Sequence, residues 1–196
     1  MSNGGTPGEL WLVRHGETEW TATGRHTSRT DVPLTATGRE QATSVGGVLA
    51  GRPFVVVLSS PLTRSVETCR LAGYSDRAQT DDDLKEWDYG EYEGRTTAEI
   101  RAERPGWTVW AGSPGGESLE DAAVRARRVI DRATAAGGDA ALFSHGHFLR
   151  ILGATWVGLP PEGGRLLSLG TASLSILGYE REARVIRGWN RSCEVG

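Results

Sequence analysis

Short apolar runs alternate along this chain with longer stretches in which apolar residues recur at helical spacing. Residues 9–14 (ELWLVR), 54–58 (FVVVL) and 139–144 (DAALFS) read as buried strands. Each ends abruptly, at His15-Gly16, at Ser60-Pro61 and at His145-Gly146 respectively. After Pro33-Leu34-Thr35, residues Ala42, Val45, Val48 and Leu49 share one face of a predicted helix, and Ser60-Pro61 caps and opens a second over 62–72. Gly115-Gly116-Glu117-Ser118 opens a long helix to about Ala136, with Leu119, Ala122, Ala126, Val129, Ile130 and Ala133 inward. A helix over 148–157 follows the third strand, shorter helices are expected near 96–103 and 107–111, and 172–180 and 183–189 read as two closing strands. Residues 1–8 lack periodicity and are expected to form a loose tail, whereas 79–94, acidic and aromatic without a clean period, reads as an ordered loop. Strands alternating with helices predict an α/β fold, a three-layer sandwich with a largely parallel central sheet and helices on both faces. At 196 residues the chain fits one domain, 1–196.

Charge and composition narrow the partners. A formal net charge of -3 provides no global positive field for nucleic acid or an anionic membrane, so any affinity for phosphate is local to a site. Two cysteines, Cys69 and Cys193, supply neither a disulfide framework nor a thiolate metal site, and a reducing compartment is the simpler expectation. The start of the chain lacks a basic segment followed by an apolar run, and nowhere do ~18 apolar residues follow one another. A cytoplasmic protein acting on a small molecule is expected, with homodimer formation left open.

The strand ends carry the candidate chemistry. In open parallel sheets, ligands bind outside the carboxyl ends of the strands, where successive loops converge. Arg14-His15-Gly16, the Ser60 to Arg64 segment and His145-Gly146 are therefore candidates for one pocket. A charged pair at the end of a buried strand must be solvated by an opening or by a ligand. His15 suits a nucleophile if one ring nitrogen donates to a backbone carbonyl and the other is left neutral, and Gly16 then allows close backbone approach. Each residue also has a bland reading: Arg-His-Gly as a surface turn, Arg64 as a solvated helix residue, and Glu86 as one member of an acidic run in which Asp88 and Glu91 are rivals. His145 and His147 alternate, but four histidines with no third ligand at recognisable spacing argue against a metal site. His26 reads as a loop histidine.

Taken together, LVRHGETEW, SSPLTRSVET, the glutamate of LKEWDYGEYEG, GGES and SHGHFLR resemble, in order and spacing, the histidine phosphatase superfamily, also called phosphoglycerate mutase-like. The resemblance runs from about residue 9 to 190. It implies that His15 takes a phosphoryl group, that Arg14, Arg64 and His145 bind its oxygens, and that Glu86 handles the proton. Guanidiniums fit such roles because their forked donors grip phosphate oxygens and stay charged, with no metal or other cofactor. A protonated His145, its pKa raised by the phosphate dianion itself, is expected to add a third donor, and the like charges of Asp81, Asp82, Asp83, Glu91 and Glu93 to favour a proton on Glu86. Thr27 and Ser28 resemble positions that contact phosphate or sugar, Tyr89 a substrate-facing position, and His147 a helix-start residue offering its backbone N–H.

Departures from the family's mutases are informative. Those enzymes carry Asn where this chain has Thr21, and an adjacent arginine pair that RTTAEIRAERPGWTVWAG lacks. Their long insertion is missing as well. The resemblance therefore favours a phosphatase of small phosphate esters, similar to sugar-bisphosphatases and actinobacterial acid phosphatases. A mutase and a non-catalytic phosphate-binding module are the alternatives. Arg25, Arg29 and Arg150 are candidate anchors for a second phosphate, or solvated surface.

Overall fold

The computed structural model describes residues 8–193; of the expected N-terminal tail, residues 1–7 lie outside the described residues. Six strands form one sheet in the order β3-β2-β4-β1-β5-β6, with β1 Leu10–Arg14, β2 Val56–Ser59, β3 Ala78–Thr80, β4 Ala140–Ser144, β5 Leu174–Glu180 and β6 Ala183–Arg191. Strands β3, β2, β4 and β1 run parallel, while β5 is antiparallel to β1 and β6 to β5. The sheet is thus mostly parallel, as expected.

Strand alternation creates the three layers. Leu10 and Leu12 of β1 and Leu142 of β4 pack on one side against Ala122, Ala126, Val129 and Ile130 of α5 (Leu119–Ala135) and Phe148 and Leu152 of α6 (Gly146–Trp156). Trp11, Val13 and Phe143 point to the other side, with Val45 and Leu49 of α2 (Ala36–Leu49) and Cys69 of α3 (Thr63–Leu71). The helix starts obey their sequence signals. Thr35 accepts from the Gly38 amide at 3.0 Å and Ser118 from the Asp121 amide at 3.0 Å, caps worth about 1 kcal/mol each.

Several boundaries differ from expectation. Strand β2 begins at Val56 because residues 52–54 turn instead, with the Phe54 amide donating to the Arg52 carbonyl at 3.0 Å; the Phe54 ring still enters the core. Pro61 precedes the α3 N-cap, Leu62, rather than occupying the first helical turn. Helix α6 starts at Gly146, two residues earlier than its apolar pattern, directly from the β4 end. The one-turn α1 (Glu19–Ala22) and the polar edge strand β3 went unpredicted, and the helix expected at 107–111 shrinks to a 3₁₀ turn over Val109–Ala111. The remaining predicted helix is α4 (Thr97–Glu103), closed by a Thr96/Glu99 capping box. Cys69 and Cys193 are free and buried, and burial pushes the Cys69 thiol up to about 12.

Candidate active site

The β1 end is pinned between its two neighbours. The His15 amide donates to the Ser144 carbonyl at 3.0 Å, and the His15 carbonyl accepts from the Ala172 amide at 3.0 Å. The buried ring lies 2.7 Å through Nδ1 from the Gly16 carbonyl. A carbonyl only accepts, so the proton is on Nδ1 and the Nε2 lone pair is free. Burial first, then the Arg64 and Arg14 guanidiniums, hold the His15 pKa well below the ordinary imidazole value. The ring is neutral. Gly16 itself serves packing: its amide donates to Thr68 Oγ1 at 3.1 Å, and a Cβ there would lie 2.2 Å from the Gly38 carbonyl oxygen of α2.

Two guanidiniums act on this ring, Arg64 fully buried and Arg14 half-buried. Arg14 donates to the Leu169 carbonyl at 2.5 Å, and Arg64 donates to the Thr30 and Ser28 carbonyls at 3.1 and 3.0 Å. Both keep a buried Nε without a partner, and unpartnered donors of this kind are costly unless a ligand engages the group. The loop that holds Arg64 is itself clamped by Glu93, which accepts from the Ser28 amide at 2.9 Å, the Ser28 hydroxyl at 2.6 Å and the Thr30 amide at 3.1 Å. The sequence reading missed this clamp, having taken Glu93 as a source of like-charge repulsion.

That repulsion is largely absent. Asp81, Asp82 and Asp83 pair with Arg132, Lys85 and Arg128 at 2.9, 2.8 and 2.5 Å. Glu86 is held by amides instead: Oε1 accepts from Trp87 at 2.9 Å and Phe148 at 2.8 Å, and Oε2 from His147 at 3.1 Å. Two of these donors open α6, where the helix dipole favours an anion. The expected backbone donor of His147 therefore serves the carboxylate.

His145 completes the group. Its Nε2 is 2.8 Å from the Ser60 hydroxyl, its buried Nδ1 has no partner, and its ring meets that of His15 edge to face at 5.1 Å. Burial, then Arg64, His15 and Arg14, lower its pKa well below the imidazole range. These effects favour the neutral ring, and the bound phosphate dianion on which the expected protonated donor depends would act in the opposite sense. Ser60, read from sequence as a helix cap and as part of a pocket segment, is its partner.

A cavity of about 90 Å³ is lined by Arg14, His15, Glu86, Thr21, Thr27, Tyr89 and His147, while Arg64 and His145 lie outside its lining. Ser28 faces a wider hollow of about 530 Å³ that shares Glu86. Gly16 lines neither. The Tyr89 hydroxyl and His147 Nδ1 lie 2.7 Å apart, and both rings pack beside His26. The Thr21 hydroxyl donates to the Thr18 carbonyl at 2.9 Å, fixing the α1 cap at the cavity wall. Among the described residues, no group of three or more His, Cys, Asp or Glu side chains could hold a metal ion, and no helix is long and apolar enough to cross a membrane.

The chain is 42% identical over 180 residues to an acid phosphatase of Mycobacterium tuberculosis, covering 89% of this chain and 88% of that protein. It is 35% identical to the sedoheptulose 1,7-bisphosphatase of Saccharomyces cerevisiae (76% of this chain, 67% of that one) and 32% identical to a probable phosphoglycerate mutase of Yersinia enterocolitica (92% and 89%). The solved structure of the open reading frame Rv3214 from Mycobacterium tuberculosis superimposes with a TM-score of 0.89 at 38% identity, covering 95% of this chain and 99% of that one. With the sequence model of the histidine phosphatase superfamily (branch 1) matching residues 10–192, the chain belongs to that superfamily.

Proposed function

We propose that this protein is a phosphatase that hydrolyses phosphate monoesters of small metabolites, such as sugar phosphates or bisphosphates, through a phosphohistidine on His15. The observation that carries the reading is the bond between Nδ1 and the Gly16 carbonyl, which leaves Nε2 as the free nucleophilic atom of a ring that feels the charges of Arg64 and Arg14. In the first step the Nε2 lone pair attacks phosphorus, the ester P–O bond breaks, and the leaving oxygen takes a proton from Glu86. In the second, water attacks phosphorus and yields its proton to the Glu86 carboxylate. The P–N bond then breaks, returning its electron pair to Nε2 and releasing inorganic phosphate.

The two guanidiniums neutralise the equatorial oxygens throughout, a task that divalent ions perform in other phosphoryl-transfer enzymes. Activity is accordingly expected to survive EDTA. The acid phosphatase and sugar-bisphosphatase names among the relatives support hydrolysis. Retention of a diphosphorylated intermediate, which a mutase needs, is disfavoured by the missing arginine pair and by Thr21. The test is 3-phosphoglycerate with a bisphosphoglycerate primer. Inorganic phosphate should appear faster than 2-phosphoglycerate; rapid isomerisation without phosphate release would assign the chain as a mutase.

A further inference from the structure

Arg64 sits in the first turn of α3, yet its guanidinium is held by a distant loop. Nη1 donates to the Thr30 carbonyl at 3.1 Å and Nη2 to the Ser28 carbonyl at 3.0 Å, while Nε is buried without a partner. Residues 27–30 belong to no helix or strand, so regular backbone pairing does not fix these two carbonyls. The amides of the same two residues are held from another side. Those of Ser28 and Thr30 donate to Glu93 at 2.9 and 3.1 Å, and the Ser28 hydroxyl adds a bond at 2.6 Å. Between them Arg29 is exposed and pairs with Asp88.

The loop stays attached without Glu93. On one side the Gly94 amide donates to the His26 carbonyl at 2.8 Å, and the His26 amide to the Arg95 carbonyl at 2.9 Å. On the other, Asp31 accepts from the Thr63 amide at 2.9 Å and from the Thr63 hydroxyl, at the start of α3. Glu93 acts on the stretch between these anchors. It is half-buried, and among the described residues it has no cationic side chain within 4.0 Å. Its carboxylate is satisfied by Ser28 and Thr30 instead. Burial lowers the Arg64 pKa, and Glu93 raises it again less than Glu86, Asp31 and Tyr89 do, so the link through the loop outweighs the link through space.

We propose that Glu93 is a positioning residue for phosphoryl transfer: through the Ser28 and Thr30 peptides it fixes the Arg64 guanidinium in the orientation that grips the transferring group. This rests on the phosphatase reading above, in which Arg64 binds phosphate oxygens. A loosened guanidinium keeps its charge and still attracts a ground-state phosphate. What it loses is alignment, set in advance, with the equatorial oxygens of the transition state, and that alignment is a source of rate. A merely structural tie would instead weaken every ligand alike.

The test compares Glu93→Gln with wild type, since glutamine offers one acceptor oxygen where the carboxylate offers two, and its amide nitrogen would face a donor. On an aryl phosphate, kcat should fall about tenfold or more while KM changes less than about threefold. Calorimetric titration should show orthovanadate, whose five-coordinate adduct mimics the transferring group, losing affinity by about the same factor as kcat, and inorganic phosphate by less than about threefold. Glu93→Asp keeps the charge and shortens the reach; it should give the same split, and it replaces the glutamine variant if that chain fails to fold. Action through Arg64 also requires non-additivity, so in an Arg64→Lys background Glu93→Gln should cost little more. Unchanged kcat, equal loss of both anions, or additive losses in the double variant overturn the proposal and leave the phosphatase reading intact. A wild type that binds neither anion and releases no phosphate overturns both.

Discussion

A Cβ at Gly146 would stand 3.2 Å from both Cζ and Nε of Arg14, so the first residue of α6 is small where the guanidinium lies against it. The relationship links the two ends of the pocket: β1 delivers Arg14, and β4 turns into α6 at the point where space for that arginine is needed. Gly146→Ala should therefore fold, since alanine is favourable in a helix, but displace Arg14 by a few tenths of an ångström. We expect kcat/KM to fall about tenfold with little change in melting temperature. Wild-type kinetics in this variant would show that Arg14 does not need its present position.

The three amides on Glu86 make a specific prediction for Glu86→Gln. An amide nitrogen would confront the backbone N–H groups of Trp87, His147 or Phe148, at a cost of about 1–3 kcal/mol in stability. If Glu86 moves the proton, esters of poor alkoxide leaving groups should lose far more rate than an activated aryl phosphate. The aryl substrate should show a burst followed by slow turnover, because water lacks its base. Equal loss on all substrates with no burst would reduce Glu86 to a positioning residue and turn attention to Asp88 and Glu91.

Four histidines define the acid side of the stability profile. Burial lowers the pKa of His26 and holds those of His15, His145 and His147 well below 6.5 in the folded chain. Below about pH 6.5 the unfolded chain therefore binds protons that the folded chain refuses, so stability must fall as pH falls. Above that pH their contribution is fully present. Chemical denaturation followed from pH 7.5 to 5 should show a declining unfolding free energy. A flat or rising profile would mean that these rings are protonated in the fold.

The sequence revealed those features that repeat or that lie close together along the chain. Alternating Leu10, Trp11, Leu12 and Val13 marked β1, and the spacing from Ala122 to Ala133 marked α5, because periodicity is local. By contrast, β3 and α1 are too short and polar to leave a period. Of the residues expected at the pocket, Arg14, His15, Thr21, Thr27, Glu86, Tyr89 and His147 line one cavity and Ser28 the neighbouring hollow, whereas Arg64 and His145 line neither and the tight approach of Gly16 is to α2. What stayed hidden depends on distant partners: the Ser60 hydroxyl on His145, the Glu93 clamp beneath Arg64, and the arginines that pair the acidic run. Charge counted along the chain gave like-charge repulsion at Glu86, and folding replaced it with amide donors.

The central claim is a covalent bond between phosphorus and Nε2 of His15. Rapid acid-free quenching during turnover of an aryl phosphate, followed by peptide mass spectrometry, tests it most directly. The account predicts an acid-labile phosphoryl group on His15, absent from His15→Ala, which should also lose turnover. Phosphoryl transfer to any other residue, or turnover that persists in His15→Ala, would contradict it.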